Sequence, residues 1–425
     1  MSKDVHDTAS ASAPRPRRAC PRLSEPMETG DGLLARIVPS GRIGLDAFAS
    51  LCVAARIHGN GLMEITGRGS LQIRGMTEIS APHLAAAVEE FDIPFNDRIP
   101  VAVSALPGTT GARVRPDEIA LELRDLASRR QLDLAPKVSI VIDDGGPLSL
   151  DGLAADIRLR ALDRTTSPWL SVSVGGDCET AASLGIVSVQ NAAQLTLDLL
   201  AVLAPSGAET RARDVVAREG IDRFLMAAGD RLETGATMPA ARTTETIGLH
   251  RLYDNSCAIG VALPFGQAHA LDLIALARIA RANGAEWAAL APQRALLLGP
   301  IGEMTAFALG TAADTLGFVV DARDPRRRIA ACAGAPLCDS GHIPSRDLAA
   351  RIAERLPQGK FALHISGCSK GCAHPRPAPL TIVGIGQGTG FIDRDTVLYL
   401  PRSETYSDDL VQEVARKIVT ENEDA

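Results

Sequence analysis

The sequence predicts an α+β protein whose fold is built twice. The first observation behind this is recurrence. Ser70-Leu71-Gln72-Ile73-Arg74-Gly75 is answered by Arg294-Ala295-Leu296-Leu297-Leu298-Gly299, with Gly299 lying 224 positions after Gly75. Pro136-Lys137-Val138-Ser139-Ile140-Val141-Ile142-Asp143 is answered by Gly359-Lys360-Phe361-Ala362-Leu363-His364-Ile365-Ser366, with Lys360 lying 223 positions after Lys137. Gly248-Leu249-His250-Arg251 echoes Gly32-Leu33-Leu34-Ala35-Arg36, and the stretch 271–284 echoes the first helix and its Asn-Gly stop. Segments that return in the same order at near-constant spacing signal an internal duplication. The second observation is that short apolar strand patterns alternate with helical periodicities throughout. At 425 residues the chain has the size for two or three domains and an ample core.

Taken in order, residues 1–18 are Ser/Ala/Pro-rich with a short basic end, a composition that predicts a disordered, solvated tail. Turn glycines Gly30, Gly32 and Gly41 surround a strand over 33–38. A helix over 45–57 follows, with Leu45, Phe48, Leu51, Cys52 and Ala55 on one face. Asn60-Gly61 stops it and starts another strand. Thr66, Arg68, Gln72 and Arg74 then gather around a glycine turn, and the period of a strand puts Gln72 and Arg74 on one face. Two fixed guanidiniums suit carboxylates through bidentate hydrogen bonds. A half-exposed strand shows the same alternation, so the pattern leaves both readings open.

The region 99–235 reads as a separate α/β unit. It contains a strand over 99–104, a helix over 116–130, a buried strand running into Asp143-Asp144-Gly145-Gly146, a strand over 155–162, a glycine turn at 174–177 and a helix over 191–203. Asp143 and Asp144 could meet a substrate, but Asp-Gly so readily makes turns that turn chemistry is the favoured role. Residues 205–245 are polar, carry a helix over 210–228 and read as a linker into the second half.

Composition excludes several function classes. Hydrophobic content of 46% with 22% charged residues is ordinary for a globular enzyme. Aromatics at 3% are too few for nucleobase-stacking platforms, and a net charge of −7 gives no basic footprint, so no nucleic-acid partner is expected. No apolar run has the length of a membrane span. The N-terminus lacks an apolar signal core, and Asp4 and Asp7 speak against a transit peptide, so the expected location is cytoplasmic.

The chemistry concentrates in four of the eight cysteines. Cys332, Cys338, Cys368 and Cys372 follow C-x5-C-x29-C-x3-C, each pair within a Gly/Pro/Ser-rich turn. A helix over 345–356 and a strand over 361–365 would return the second pair to the first. Four converging thiolates suit a cubane iron–sulfur cluster. Disulfides are not expected in a cytosolic chain. Structural zinc uses tighter knuckles than a five-residue gap, and four bystander cysteines would not need paired turns. A [4Fe-4S] cluster is favoured over zinc and over a packing role. Cys20, Cys52, Cys178 and Cys257 need no special role. A duplicated chain folding as an internal dimer would place a ligand site at its junction.

A duplicated fold with C-x5-C and C-x3-C in its second half resembles the sulfite/nitrite reductase superfamily, over roughly residues 20–425. The resemblance implies ferredoxin-like half-domains at 19–98 and 236–325, an α/β domain at 99–235 and an iron–sulfur-binding α/β domain at 326–425. Within the superfamily the chain is most similar to the precorrin-3B synthases of aerobic cobalamin biosynthesis. The residues behind this are Ala19-Cys20-Pro21, Pro26-Met27, Gly30-Asp31-Gly32-Leu33-Leu34, the stretch 66–74 and Asp143-Asp144-Gly145-Gly146. Where the reductases have an Arg-Asn pair and a Lys-x-Lys strand, this chain has Pro100-Val101-Ala102-Val103-Ser104 and Lys137-Val138-Ser139. Half of a basic anion clamp is missing, and reduction of a small oxyanion needs dense positive charge.

The resemblance implies oxygen-dependent conversion of precorrin-3A to precorrin-3B, with hydroxylation at C20 and closure of a ring-A acetate lactone at C1. The tetrapyrrole would be substrate where the reductases hold siroheme. Its carboxylates would meet Arg68 and Arg74, with Arg36 and Lys137 as further candidates. The cubane on Cys332, Cys338, Cys368 and Cys372 would pass electrons from an external donor, an NADH-linked reductase or a ferredoxin. A non-haem iron would activate O2, but the scattered histidines show no facial-triad spacing from which to read its ligands. Cys372 would be the cysteine nearest the reaction centre, and His374 reads more simply as structural. The alternatives are a siroheme-dependent nitrite or sulfite reductase and a non-catalytic protein folded around zinc.

Overall fold

The computed structural model describes residues 21–418 outside positions 96, 98, 107–113, 131, 163–167, 207–209, 234–239, 357–361, 375–377, 387, 394–395, 402–407, 409–410, 413 and 417, with backbone alone over 388–401. The expected N-terminal tail and Cys20 lie outside the described residues. The chain divides into two compact units. The larger runs over Ala19–Glu28 and Gly32–Ala322, and the smaller joins Thr29–Asp31 to Arg323–Ala425.

Two of the larger unit's sheets are copies of one plan. The first is ordered Met27–Thr29, Gly32–Ile37, Leu71–Met76, Leu62–Ile65, Gln267–His269, and the second Gly248–Arg251, Cys257–Ala262, Ala295–Ile301, Trp287–Ala291, Ile43–Gly44. The last strand of each is lent by the other half. Ile43–Gly44 pairs with Trp287–Ala291, and Gln267–His269 pairs with Leu62–Ile65. The helices that follow the lent strands, Leu45–His58 and Ala270–Ala282, begin on matching hydrogen bonds. Leu45 N–H donates to Glu286 O at 2.9 Å and Ala270 N–H to Gly61 O at 2.8 Å. Arg42 stacks its guanidinium 4.2 Å from the Trp287 ring centre, a cation–π contact that helps fasten one lent strand.

This exchange merges both halves into one core, in which Phe48, Leu51 and Ile73 join Leu273, Leu298 and Leu309. Burying an apolar side chain of this size contributes roughly 1.5–3 kcal/mol, and neither half could close that core alone. The sheet orders also correct one sequence match. The counterpart of Gly32–Ile37 is Cys257–Ala262, and Gly248–Arg251 corresponds to Met27–Thr29. The likeness of the two stretches, each running from Gly-Leu to Arg, is a short-motif coincidence, because position in the sheet is what defines equivalence.

The third sheet of the larger unit is ordered Val101–Val103, Ile140–Asp143, Ala155–Leu162, Trp169–Gly176, Ala182–Ser188. Its first three strands are parallel and its last two antiparallel. The smaller unit repeats that scheme in Ile329–Ala331, Leu363–Ser366, Leu380–Ile385, Gly388–Asp393 and Thr396–Pro401. The duplication thus covers all four sheets. Among the described residues no helix is long and apolar enough to cross a membrane.

Along Ala155–Leu162 the two faces have opposite chemistry. Ile157 and Leu159 enter the apolar core, while Asp156, Arg158 and Arg160 are buried on the other side. Such charges stay buried only when paired. Arg211 clamps Asp156 with both Nε and Nη2, the latter at 2.7 Å, and the Ala212 and Ser139 N–H groups also donate to it. Arg160 reaches Asp151 at 3.2 Å and the Ala240 carbonyl at 2.9 Å. The stretch expected to be a linker is therefore part of the fold. Its single expected helix is two, Ala212–Glu219 and Asp222–Ala228, parted at Gly220, whose φ of 72° favours glycine.

Candidate functional site

The cysteine pairs converge because of strand direction. Ile329–Ala331 and Leu363–Ser366 are parallel neighbours, with Ala331 opposite Ile365, so the loops that follow them leave the same edge of the sheet. Those loops carry Cys332–Cys338 and Cys368–Cys372. They are stitched together. Gly367 N–H donates to Cys332 Sγ at 3.0 Å, His342 N–H to Gly367 O at 2.7 Å, and Lys370 Nζ to Ser340 Oγ at 2.9 Å. Within the loops, Cys338 N–H donates to Gly334 O at 2.8 Å and Ser366 Oγ to Cys368 O at 2.6 Å. Cys368 is buried, Cys332 and Cys338 are half-buried, Cys372 is exposed, and none of the four is in a disulfide.

Gly30 closes one side of the first loop. Its carbonyl accepts from Asp339 N–H at 2.8 Å, and a Cβ added to it would collide with Cys338 Sγ. Gly30→Ala is expected to displace that thiol and to lower the affinity for any iron–sulfur cluster these loops hold about 10–100-fold, as loss of supporting contacts does at metal sites. Iron and acid-labile sulfide per chain, measured after gel filtration, check this; wild-type content in the variant would refute it.

Among the described residues no group of three or more His, Cys, Asp or Glu stands where it could hold one metal ion. A cubane takes one thiolate at each of its four irons. The donor set, all sulfur and carried on two mutually bonded loops, fits the cubane.

The larger unit holds the expected arginines. Arg68 sits in the turn joining Leu62–Ile65 to Leu71–Met76, closed by Thr66 N–H donating to Ser70 O at 2.9 Å. The residue is exposed, and its Nη2 donates to Ala154 O at 2.8 Å. Enough protein surrounds the guanidinium that desolvation lowers its pKa, helped by the positive charges of Arg36, Arg211 and Arg158 and opposed by Asp156. An accessible cation crowded by other cations is a natural anion site.

Leu71 and Ile73 face the core while Gln72 and Arg74 remain half-buried, as period-two alternation requires. Arg36 and Glu64 both stand opposite Gln72 in the sheet. Arg74 lies 3.6 Å from Glu64 and so has its own acidic partner. The equivalent turn of the second half meets the Arg68 turn, with Gln293 N–H donating to Gly67 O at 3.0 Å. Arg294 lies on that second turn, where burial lowers its pKa and Glu64 opposes the shift. Lys137 is half-buried in the turn ahead of Ile140–Asp143.

Residues 25–91 match the nitrite/sulfite reductase ferredoxin-like half-domain family. The structure of the NirA protein of Mycobacterium tuberculosis has the same fold, with a TM-score of 0.71 at 18% identity over 91% of this chain and 81% of that one. A precorrin-3B synthase of Sinorhizobium sp is 37% identical over 420 residues, 96% of this chain and 90% of the relative. The chain belongs to the precorrin-3B synthase family. It is an enzyme of that kind, built on the duplicated sulfite/nitrite reductase fold.

For this synthase-family chain the structure brings Arg36 and Arg68 into one field and adds Arg211 and Arg158, which sequence reasoning had not singled out. The signal for Arg158 was present: Asp156, Arg158 and Arg160 alternate within an otherwise apolar strand. Asp143 is fully buried and accepts from Gly145 N–H and Leu150 N–H, each at 2.7 Å, and from Arg242. Its role is to turn and pin the chain, as favoured. His374 lies with its ring centre 5.9 Å from that of His364, and no third ligand group joins them among the described residues. Burial pushes the Cys52 thiol far up, which leaves it inert.

Proposed function

We propose that this chain converts precorrin-3A to precorrin-3B with molecular oxygen. The observation that carries the reading is the relationship to a precorrin-3B synthase along nearly the whole of both chains. In the proposed reaction one oxygen atom enters C20 as a hydroxyl and the other leaves as water. Two electrons and two protons come from an external donor, an NADH-linked reductase or a ferredoxin. The ring-A acetate then closes its lactone at C1.

Each group of residues has a part. Arg68, with Arg36 and Arg74 nearby, would hold substrate carboxylates through charge-assisted hydrogen bonds. Asp156 fixes Arg211 in place and offsets part of the local positive charge. Lys137 is a weaker contact candidate. Cys332, Cys338, Cys368 and Cys372 would hold a [4Fe-4S] cluster, which when bound supplies one-electron transfer. For a non-haem iron the described residues provide no three-ligand group. The net charge of −7 gives no basic footprint for a nucleic-acid partner.

The test is to purify the chain anaerobically, quantify iron, sulfide, zinc and extractable siroheme, and then supply precorrin-3A, reductant and isotopically labelled dioxygen. A product carrying one labelled oxygen from siroheme-free, cluster-containing protein is the expected result. Stoichiometric siroheme with no tetrapyrrole oxidation would make the chain a reductase, and zinc in place of iron would exclude both activities.

A further inference from the structure

The four cysteines are not equivalent in their surroundings. Cys332 Sγ receives the Gly367 N–H at 3.0 Å and also lies 3.6 Å from Ser345 Oγ. Ser345 is fully buried at the first turn of the helix Ser345–Ala353. Glycines confine its hydroxyl: a Cβ on Gly334 would come within 2.6 Å of Ser345 Oγ, and one on Gly367 within 3.3 Å of it and 3.4 Å of Cys332 Sγ. In a free thiol either atom of the Ser345–Cys332 pair could donate. A metal-bound thiolate has no proton, so only the hydroxyl can donate.

We propose that the Ser345 hydroxyl donates to the Cys332 thiolate and thereby raises the reduction potential of the cluster. The proposal rests on the reading that the four cysteines hold a cubane. Reduction adds one negative charge to the cluster and its ligands. A donor aimed at a ligand sulfur stabilises the reduced state more than the oxidised one, and hydrogen bonds to the sulfurs are among the determinants of cluster potential. The Gly367 N–H acts in the same sense but belongs to the main chain. Ser345 is the part of this arrangement that a substitution can remove. It is a positioning and tuning residue, since it acts through Cys332.

The experiment compares the wild-type chain with Ser345→Ala. Iron and sulfide are quantified first, and the reduced cluster is then followed by electron paramagnetic resonance during a redox titration. At a fixed ambient potential the ratio of reduced to oxidised cluster is expected to fall about three- to tenfold in the variant, tenfold corresponding to ~59 mV for one electron. A fully loaded variant with an unchanged ratio would overturn the proposal and leave Ser345 a packing role. If Ser345→Ala loses its cluster, Ser345→Cys decides: its weaker donor lowers the ratio if the proposal holds, and an unchanged ratio overturns it. A wild-type chain without iron and sulfide sinks the cluster reading itself, before any variant is compared.

Discussion

Arg242→Ala is expected to destabilise the larger unit by about 3 kcal/mol, the low end of the range for breaking a buried ion pair by removing one partner. The Arg242 Nη2 reaches both Asp143 oxygens, at 3.0 and 3.2 Å, and its Nε lies 3.4 Å from Asp151 Oδ2. Its Nη1 donates to Gly145 O at 2.6 Å and Gly146 O at 3.0 Å, and its backbone N–H donates to Asp151 at 2.9 Å. Desolvation is the largest single influence on this guanidinium, yet the two carboxylates outweigh it and its pKa rises. Asp151 would keep Arg158 and Arg160, at 3.8 and 3.2 Å. Asp143 would keep only uncharged donors while fully buried. The low end applies because the Arg242 side chain is 30% exposed, so water can partly replace it.

Urea unfolding followed by tryptophan fluorescence measures this unit, since both tryptophans, Trp169 and Trp287, belong to it. A loss below about 1 kcal/mol would show that the segment around Arg242 is not pinned as described. Adding Asp143→Asn should recover part of the loss, because the uncompensated charge is then gone.

Arg68→Ala is expected to raise KM for precorrin-3A about 10–100-fold with a smaller change in kcat. Hydrogen bonds to charged groups contribute about 1.5–3 kcal/mol, and each 1.4 kcal/mol is a factor of ten. Arg68 stands apart from its neighbours in being exposed at its turn, whereas Arg74 is matched by Glu64 and Arg211 is locked on Asp156. Arg68→Lys should recover little, since an ammonium cannot reproduce the bidentate fork. Steady-state kinetics with saturating oxygen and reductant decide the matter, and an unchanged KM would remove Arg68 from the substrate site.

Local pattern carried much of this protein. The helix expected over 45–57 is Leu45–His58, and Leu45, Phe48, Leu51, Cys52 and Ala55 are all buried. A 3.6-residue period commits a face regardless of what later covers it. Glycine turns placed both cysteine pairs in loops, because turn chemistry is set by neighbouring residues. The duplication was visible for the same reason, since each copy spells its own strands and helices.

What escaped the sequence was the choice of partner. Asp156, Arg158 and Arg160 alternate with apolar residues just as a solvated face would, and only the covering by Arg211 and residues around 240–242 makes that face buried. The exchange of Ile43–Gly44 and Gln267–His269 joins residues more than two hundred positions apart, and strands that short carry too little pattern to name a mate. Gly30 looked like a turn glycine, whereas its position against Cys338 is what excludes a side chain. The sequence alone determined many of the longer elements, their duplication and the four-cysteine set. The tertiary structure decided which charges are paired, which half completes which sheet and which donors reach Cys332. Secondary structure answers to residues a few positions away, whereas burial and pairing answer to whatever the folded chain packs on top.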